Sequence, residues 1–158
     1  MAIRLKNENN ACRRLDIYLS AAQRTEMQAR HYLIKAGYSS DEVNTAIEKA
    51  IEKKVIDDEF YAKEYVRIHS AKFGNIKLRH NLLKRGVSPE LIEEVLANKE
   101  DGEDEMVAAE KLAQKIIGGR PVDQKTRLRL ARRLQSAGFS TPLVIEVLNK
   151  YCSEDYSE

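Results

Sequence analysis

The sequence predicts an all-α protein made of three tandem three-helix, helix-turn-helix-like repeats that form an elongated, curved helical array. The first observation behind this is a pattern of nineteen positions that occurs three times, at residues 29–47, 78–96 and 130–148. A repeat period of about 50 residues is typical of modular arrays. The second observation is that apolar residues recur at helical spacing. No run alternates between apolar and polar residues as a half-buried strand would.

Each copy of the pattern is anchored by a glycine that is followed by an apolar residue and a serine. The anchors, Gly37, Gly86 and Gly138, are 49 and 52 residues apart. Because glycine reaches the left-handed conformation that ends many helices, we expect each anchor to lie just after a helix with a positive φ. The serine, or the residue after it, can then cap a second helix. Each repeat is therefore predicted to contain a helix–turn–helix pair.

A further helix is predicted before each pair, at roughly residues 11–22, 58–72 and 103–117. Their apolar residues at core spacing are Leu15, Tyr18 and Leu19, then Ala62, Tyr65 and Val66, then Val107, Ala108 and Leu112. The predicted repeats are 11–57, 58–100 and 101–152, with tails at 1–10 and 153–158.

Adjacent carboxylates at Asp57 and Asp58 lie where the second repeat begins. Such a pair can bind metal, act as an acid/base couple or start a helix. No further ligands are found at workable spacing, so we expect Asp57 or Asp58 to cap the first helix of this repeat. Glu59 would favour the positive end of that helix, and Ile56 and Phe60 would clamp its entry turn.

Several protein classes are excluded by composition and motifs. No stretch approaches 18 apolar residues and the N-terminus lacks the features of a secretory signal, so we expect no membrane span and a cytoplasmic location. Cys12 and Cys152 are lone thiols, which indicates neither a disulfide nor zinc. No P-loop, nucleophile elbow or zinc-protease motif is present.

The three histidines, His31, His69 and His80, do not suggest catalysis either. His31 and His80 occupy equivalent repeat positions, and the third repeat has Arg132 there. A position that accepts both residue types suits a surface side chain better than a ligand. We therefore predict no enzyme activity, no cofactor and no metal.

Charge is distributed in blocks along the chain. Residues 63–85 carry a net +6, residues 86–110 a net −8 and residues 111–133 a net +7. The two basic blocks contain few acids, and basic residues recur at equivalent repeat positions, so we predict a surface that binds a polyanion. A solvated surface with local ion pairs is the alternative. The candidate binding residues are Arg30, Lys35, Arg67, Lys72, Lys77, Arg79, Lys84, Arg85, Arg127, Arg129, Arg132 and Arg133.

Four segments, in order, resemble the RecX family of bacterial regulatory proteins. They are YLSAAQRTEMQARHYLIKAGY (18–38), VIDDEFYAKEYV (55–66), KFGNIKLRHNLLKRGVSPELIEEVL (72–96) and LRLARRLQSAGFSTPLVIEVL (128–148). One departure follows Phe73 and Gly74, where the family often has proline and this chain has Asn75. We expect Asn75 to act there as a helix cap.

The resemblance implies a partner and a function. RecX proteins bind along the groove of the filament that RecA forms on single-stranded DNA. They lower its ATP hydrolysis, strand exchange and co-protease activity, and so regulate DNA repair, recombination and the SOS response. The implied partners are the RecA filament and, weakly and without sequence preference, single-stranded DNA. A monomer is the simplest form for such a protein.

Two other functions are open. Helix-turn-helix units also occur in proteins that act directly on DNA, although acids at the start of the second helices, such as Asp41, Glu42 and Glu90, would be repelled by phosphate. A peptide-binding scaffold would need an exposed apolar groove, and we expect the repeat cores to use the apolar residues.

Overall fold

A computed structural model of the chain describes residues 8–99 and 104–152. Within those ranges the chain forms nine α-helices and no strand, which confirms the all-α prediction. The helices are α1 (Glu8–Ala21), α2 (Glu26–Lys35), α3 (Ser40–Glu52), α4 (Asp58–His69), α5 (Asn75–Lys84), α6 (Pro89–Ala97), α7 (Glu105–Ile117), α8 (Gln124–Ser136) and α9 (Thr141–Cys152).

The chain divides into two compact units that differ from the predicted repeats. Unit 1 contains the described residues up to 62 together with 82–91, and unit 2 contains 63–81 together with the described residues from 92 onward. The second predicted repeat is thus shared between the two units. Residues 8–10 of the predicted N-terminal tail form the start of α1. Residues 1–7 and 153–158 lie outside the described residues, and the repeat boundaries stay predictions.

The core of unit 1 is formed by α1, α2 and α3. Small and branched apolar side chains from all three helices pack together there, and Tyr18 and Tyr32 stack at its edge with ring centroids 3.9 Å apart. The buried members are Ala11, Leu15, Leu19, Ala29, Leu33, Val43, Ala46, Ile47, Ala50 and Ile56.

Two capping boxes start helices α2 and α3. Thr25 Oγ1 accepts a hydrogen bond from the backbone N–H of Gln28, whose side chain accepts one from the N–H of Thr25 in return. Ser39 and Glu42 make the same reciprocal pair. Such boxes satisfy two N–H groups that a helix start leaves without partners.

The three anchor glycines lie in equivalent helix-ending turns. Their φ angles are 86° at Gly37, 84° at Gly86 and 87° at Gly138. In each turn the next residue donates its N–H to a carbonyl five positions earlier, as from Tyr38 to Leu33 and from Val87 to Leu82. This is the Schellman pattern, which satisfies carbonyls that the helix end leaves open.

The adjacent carboxylates Asp57 and Asp58 serve two different helices. Asp57 Oδ1 accepts the N–H of Phe60 at 2.9 Å and so caps α4. Asp58 Oδ1 accepts the N–H of Glu26 at 2.8 Å, at the first residue of α2. Of the two residues predicted to clamp the entry turn, Ile56 is buried and Phe60 is 53% exposed.

The core of unit 2 lies between α7, α8 and α9. Its buried members are Ala108, Ala109, Ala113, Leu130, Leu134, Phe139, Val144, Val147 and Leu148. Val107 was predicted at a core position and is instead 42% exposed. The first helix of this repeat begins at Glu105 rather than 103, and residue 103 lies outside the described residues.

A backbone contact joins the start of α5 to the turn after α8. Gly74 donates its N–H to the carbonyl of Ala137 at 2.8 Å, and Ile76 donates to Gly138 at 3.2 Å. A Cβ added at Gly74 would lie 2.3 Å from the carbonyl oxygen of Gly138. Only glycine therefore allows this close approach.

Asn75 does not cap α5, which corrects the sequence prediction. The carbonyl of Gly74 accepts the N–H of Leu78, so Gly74 precedes the helix and Asn75 is its first residue. The Asn75 N–H instead donates to Glu105 Oε1 at 2.8 Å, and its side-chain oxygen accepts from Lys99.

The repeat cores do not use all of the apolar residues. Among the described residues, several large apolar side chains are more than two-fifths exposed, which corrects the expectation that the cores consume them. They are Ile17, Ile34, Ile51, Val55, Phe60, Ile68, Ile76, Leu83, Val107, Leu128 and Ile145. In the described ranges no helix combines the length and the apolar content that a bilayer crossing requires.

Candidate functional site

A cleft in unit 2 brings basic side chains together. Its volume is about 420 Å³, within the usual range for small-ligand sites. Five of its lining residues are cationic, and none of the described lining residues is acidic. We call this the basic cleft; its lining residues are Ala71, Lys72, Phe73, Lys77, Lys111, Leu112, Lys115, Arg133, Ser136 and Ala137.

Each cation reaches the basic cleft because of local structure. Lys72 lies in the loop before α5, and the backbone contact at Gly74 brings Lys77 beside the end of α8. Lys111 and Lys115 are four residues apart on α7, so they lie on one face of that helix. Arg133 lies in the last turn of α8.

The ammonium group of Lys77 is held in place by two neighbours. It lies 4.4 Å from the ring centroid of Phe73 and 3.4 Å from the carbonyl oxygen of Ser136. Phe73 in turn stacks on His69, which contacts Tyr65, with centroids 5.8 Å and 4.3 Å apart. This cation–π contact and the aromatic row behind it restrict the positions of the lysine.

Two predicted binding residues in unit 2 are engaged in ion pairs. Arg79 makes a bidentate pair with Glu93 of α6, with Nη2 to Oε2 at 3.0 Å. This hydrogen-bonded pair raises the pKa of Arg79 and lowers the pKa of Glu93. Arg67 makes a bidentate pair with Glu64 at 2.9–3.0 Å, which lowers the pKa of that carboxyl.

A third predicted residue, Arg30 of α2, is also engaged. Its Nε lies 2.9 Å from Glu26 Oε1, and its Nη1 donates to Asn44 at 2.7 Å. Arg30, Arg67 and Arg79 therefore have acidic partners, although the two basic blocks contain few acids. Exposed pairs of this kind add little stability, but they neutralise charge that a polyanion would otherwise meet.

The other predicted residues divide between helix ends and α8. Lys35 and Lys84 end α2 and α5 and are exposed, and the carbonyl of Arg85 accepts a hydrogen bond from Thr25 Oγ1. Arg129 of α8 donates to the carbonyl of Ile116 at 3.3 Å. Arg132 is exposed, and Arg127 is partly buried.

The comparisons with known proteins agree on one family. The domain described as "RecX, second three-helix domain" matches residues 57–96. The regulatory protein RecX of Clostridium perfringens (strain SM101 / Type A) is 29% identical, over 98% of this chain and 72% of that protein. The regulatory protein RecX of Chromobacterium violaceum is 26% identical, over 89% of this chain and 90% of that protein. The chain is similar to RecX regulatory proteins along nearly its whole length.

A solved RecX structure has the same fold as this chain. The crystal structure of RecX from Lactobacillus salivarius superposes with a TM-score of 0.80 at 21% identity, and the match covers 92% of this chain and 97% of that one. The matched RecX domain contains the helix cap at Asp57, the glycine turn at Gly86, and Phe73 and Lys77 of the basic cleft.

Of the predicted binding residues, the basic cleft brings together Lys72, Lys77 and Arg133. It also contains Lys111 and Lys115, which were counted only as part of a basic block. The spacing of four between them was a usable sequence signal. The role of Phe73 in holding Lys77 depends on how loop and helix meet, and no local pattern predicts it.

Proposed function

We propose that this chain regulates the filament that RecA forms on single-stranded DNA, by binding to it and lowering its ATP hydrolysis, strand exchange and co-protease activity. The observation that carries the proposal is the basic cleft, in which five cations and no described acid line one concavity of a chain similar to RecX proteins. Its partners are the filament and, weakly, single-stranded DNA. The chain acts as a monomer and without a cofactor.

The chemistry of the basic cleft suits a polyanion better than a base sequence. Lysine and arginine that meet phosphates release condensed counterions, which gives affinity that falls steeply with salt. Such contacts position a protein on nucleic acid and carry no sequence information by themselves. A regulator that acts anywhere along a filament needs this kind of contact.

Direct sequence-specific DNA binding is the weaker alternative. The second helix of each pair would have to enter the major groove by its first turn. Asp41 and Glu42 occupy the first turn of α3, and Glu90 occupies that of α6. Because these carboxylates would face phosphates, we expect no preferred DNA sequence.

Co-sedimentation with RecA filaments on single-stranded DNA tests the proposal. We expect the chain to sediment with filaments assembled with ATP, to stay in the supernatant without RecA at moderate salt, and to slow ATP hydrolysis. A chain that stays in the supernatant with filaments even at low salt, and leaves ATP hydrolysis unchanged, would show that the proposal is wrong.

A further inference from the structure

The cations of the basic cleft converge on one small space from four chain segments. They come from the loop before α5, from α5 itself, from α7 and from α8. A nucleic-acid strand carries its phosphates spaced along its length, about 3.4 Å of helix rise for each. Convergence around a concavity also suits a compact anion, in addition to the strand phosphates that the proposed function brings to this cleft.

We propose that the basic cleft binds a compact polyphosphate group, such as the triphosphate of a nucleoside triphosphate. A triphosphate places several negative charges within one small group, which matches several cations around one cleft. The volume of about 420 Å³ is sufficient for a ligand of this size. The inference goes beyond the proposed function, since the ligand would bind to the chain without RecA.

Preorganisation of one cation favours this kind of ligand. Phe73 and the carbonyl oxygen of Ser136 already hold the ammonium of Lys77 at the edge of the cleft. A lysine that is already restrained loses less side-chain entropy when it binds an anion. Lys77 therefore provides a fixed first contact, and the exposed side chains of Lys115 and Arg133 can close on the ligand.

Repulsion among the cations of the cleft also favours the binding of a compact anion. Like charges that share a concavity repel one another, and a bound anion removes that repulsion. Between the cations lie apolar groups of Ala71, Phe73, Leu112 and Ala137. Ligand sites commonly combine such an apolar lining with a few placed charges, and here it offers a surface for a base or sugar.

Calorimetric titration of the full chain at low salt tests the inference. The probes are inorganic tripolyphosphate, ATP and AMP. We expect tripolyphosphate and ATP to bind at least about tenfold more tightly than AMP, because each charge-assisted contact contributes about that factor. No binding of tripolyphosphate or ATP, or equal affinity for ATP and AMP, would overturn the inference.

A matched pair of double variants tests the location. Lys115→Ala with Arg133→Ala removes two cations of the cleft, and Arg120→Ala with Lys125→Ala removes two exposed cations outside its lining. We expect the first to weaken ATP binding at least about tenfold and the second to leave it nearly unchanged. Equal losses in both would mean that net charge, not the cleft, binds the ligand.

Competition with a short single-stranded oligothymidylate distinguishes a compact polyphosphate from a nucleic-acid strand as the ligand. We expect tripolyphosphate to displace ATP from the cleft at lower concentration than the oligonucleotide does. If the oligonucleotide is the better competitor per phosphate, the cleft prefers an extended strand to a compact polyphosphate and the inference is wrong. RecA is absent from these titrations, so their outcome is independent of the co-sedimentation result.

Discussion

Asp58 accepts the backbone N–H of Glu26 at 2.8 Å, although the two residues are 32 positions apart. The first residue of α4 thereby binds the first residue of α2 within unit 1. Burial raises the pKa of Asp58, and the nearby carboxylates of Glu26 and Asp57 raise it further, against the lowering effect of the hydrogen bond. The N–H group at the start of α2 is thus hydrogen-bonded to a partly buried carboxylate.

The first prediction concerns the pH dependence of stability at Asp58. Because its pKa is higher in the folded state than in the unfolded state, the folded state binds the proton more tightly. This group therefore adds to the free energy of unfolding at acid pH, and the addition is lost as pH rises through the folded pKa. Asp58→Asn keeps an acceptor oxygen and should remove this dependence, as urea denaturation between about pH 4 and pH 7 would measure.

The control for that prediction is Asp58→Ala, which removes the acceptor as well as the charge. We expect it to lower the free energy of unfolding by about 1 kcal/mol, as the loss of a helix cap does. If Asp58→Asn is as unstable as Asp58→Ala at neutral pH, the contact with Glu26 depends on the charge of Asp58. The prediction that Asp58→Asn keeps this contact would then be wrong.

The second prediction concerns the glycine turn after α5. Gly86 has a φ of 84°, and a Cβ there would lie 2.4 Å from the Cβ of Met27. Gly86→Ala should cost about 1–2 kcal/mol from backbone strain and more from the contact. Gly119→Ala is the matched control, since Gly119 has a φ of 72° and nothing within 4 Å of its added Cβ. Equal losses of stability would show that Met27 moves aside without cost.

The third prediction compares two charge reversals that alter net charge equally. Lys72→Glu with Arg133→Glu acts in the basic cleft, and Arg79→Glu with Lys84→Glu acts outside it. Because Arg79 is already paired with Glu93, we expect the cleft variant to lose more inhibition of the RecA filament ATPase. The assay should be repeated at increasing salt, which should shrink the difference. A larger effect of the second variant would place the filament contact on α5.

The fourth prediction concerns the backbone contact that frames the cleft. Gly74→Ala would place a methyl group 2.3 Å from the carbonyl oxygen of Gly138, a rigid backbone atom. We expect a loss of about 1–3 kcal/mol, as for other forced overpacking. We also expect weaker polyphosphate binding, because α5 and Lys77 would move away from α8. Unchanged melting of the variant would contradict the close approach.

The fold could be predicted because the residues that start and end its helices act locally in the sequence. Gly37, Gly86 and Gly138 end helices by their own backbone freedom, and Ser39 starts the next helix with its own hydroxyl. Each of these acts within a few residues, so the pattern is visible in a single sequence. The division of the second repeat between two units has no such local cause, and the sequence did not reveal it.

The candidate site was only partly predictable because its residues meet through contacts between distant parts of the chain. Glu93 pairs with Arg79 from another helix, 14 residues away, so counting acids within the basic block missed it. The position of Lys77 follows from a contact between Gly74 and the turn at Gly138, which no side-chain pattern records. Side chains that meet through backbone docking escape a prediction based on charge and spacing.

The contact between Gly74 and the Ala137–Gly138 turn is made by main-chain atoms alone. The backbone contact that frames the basic cleft therefore does not depend on the side chains that charge it. Substitution of Lys72, Lys115 or Arg133 changes the charge of the cleft and leaves that backbone contact in place. The proposed ligand preference can thus be altered by single substitutions that do not disturb the fold.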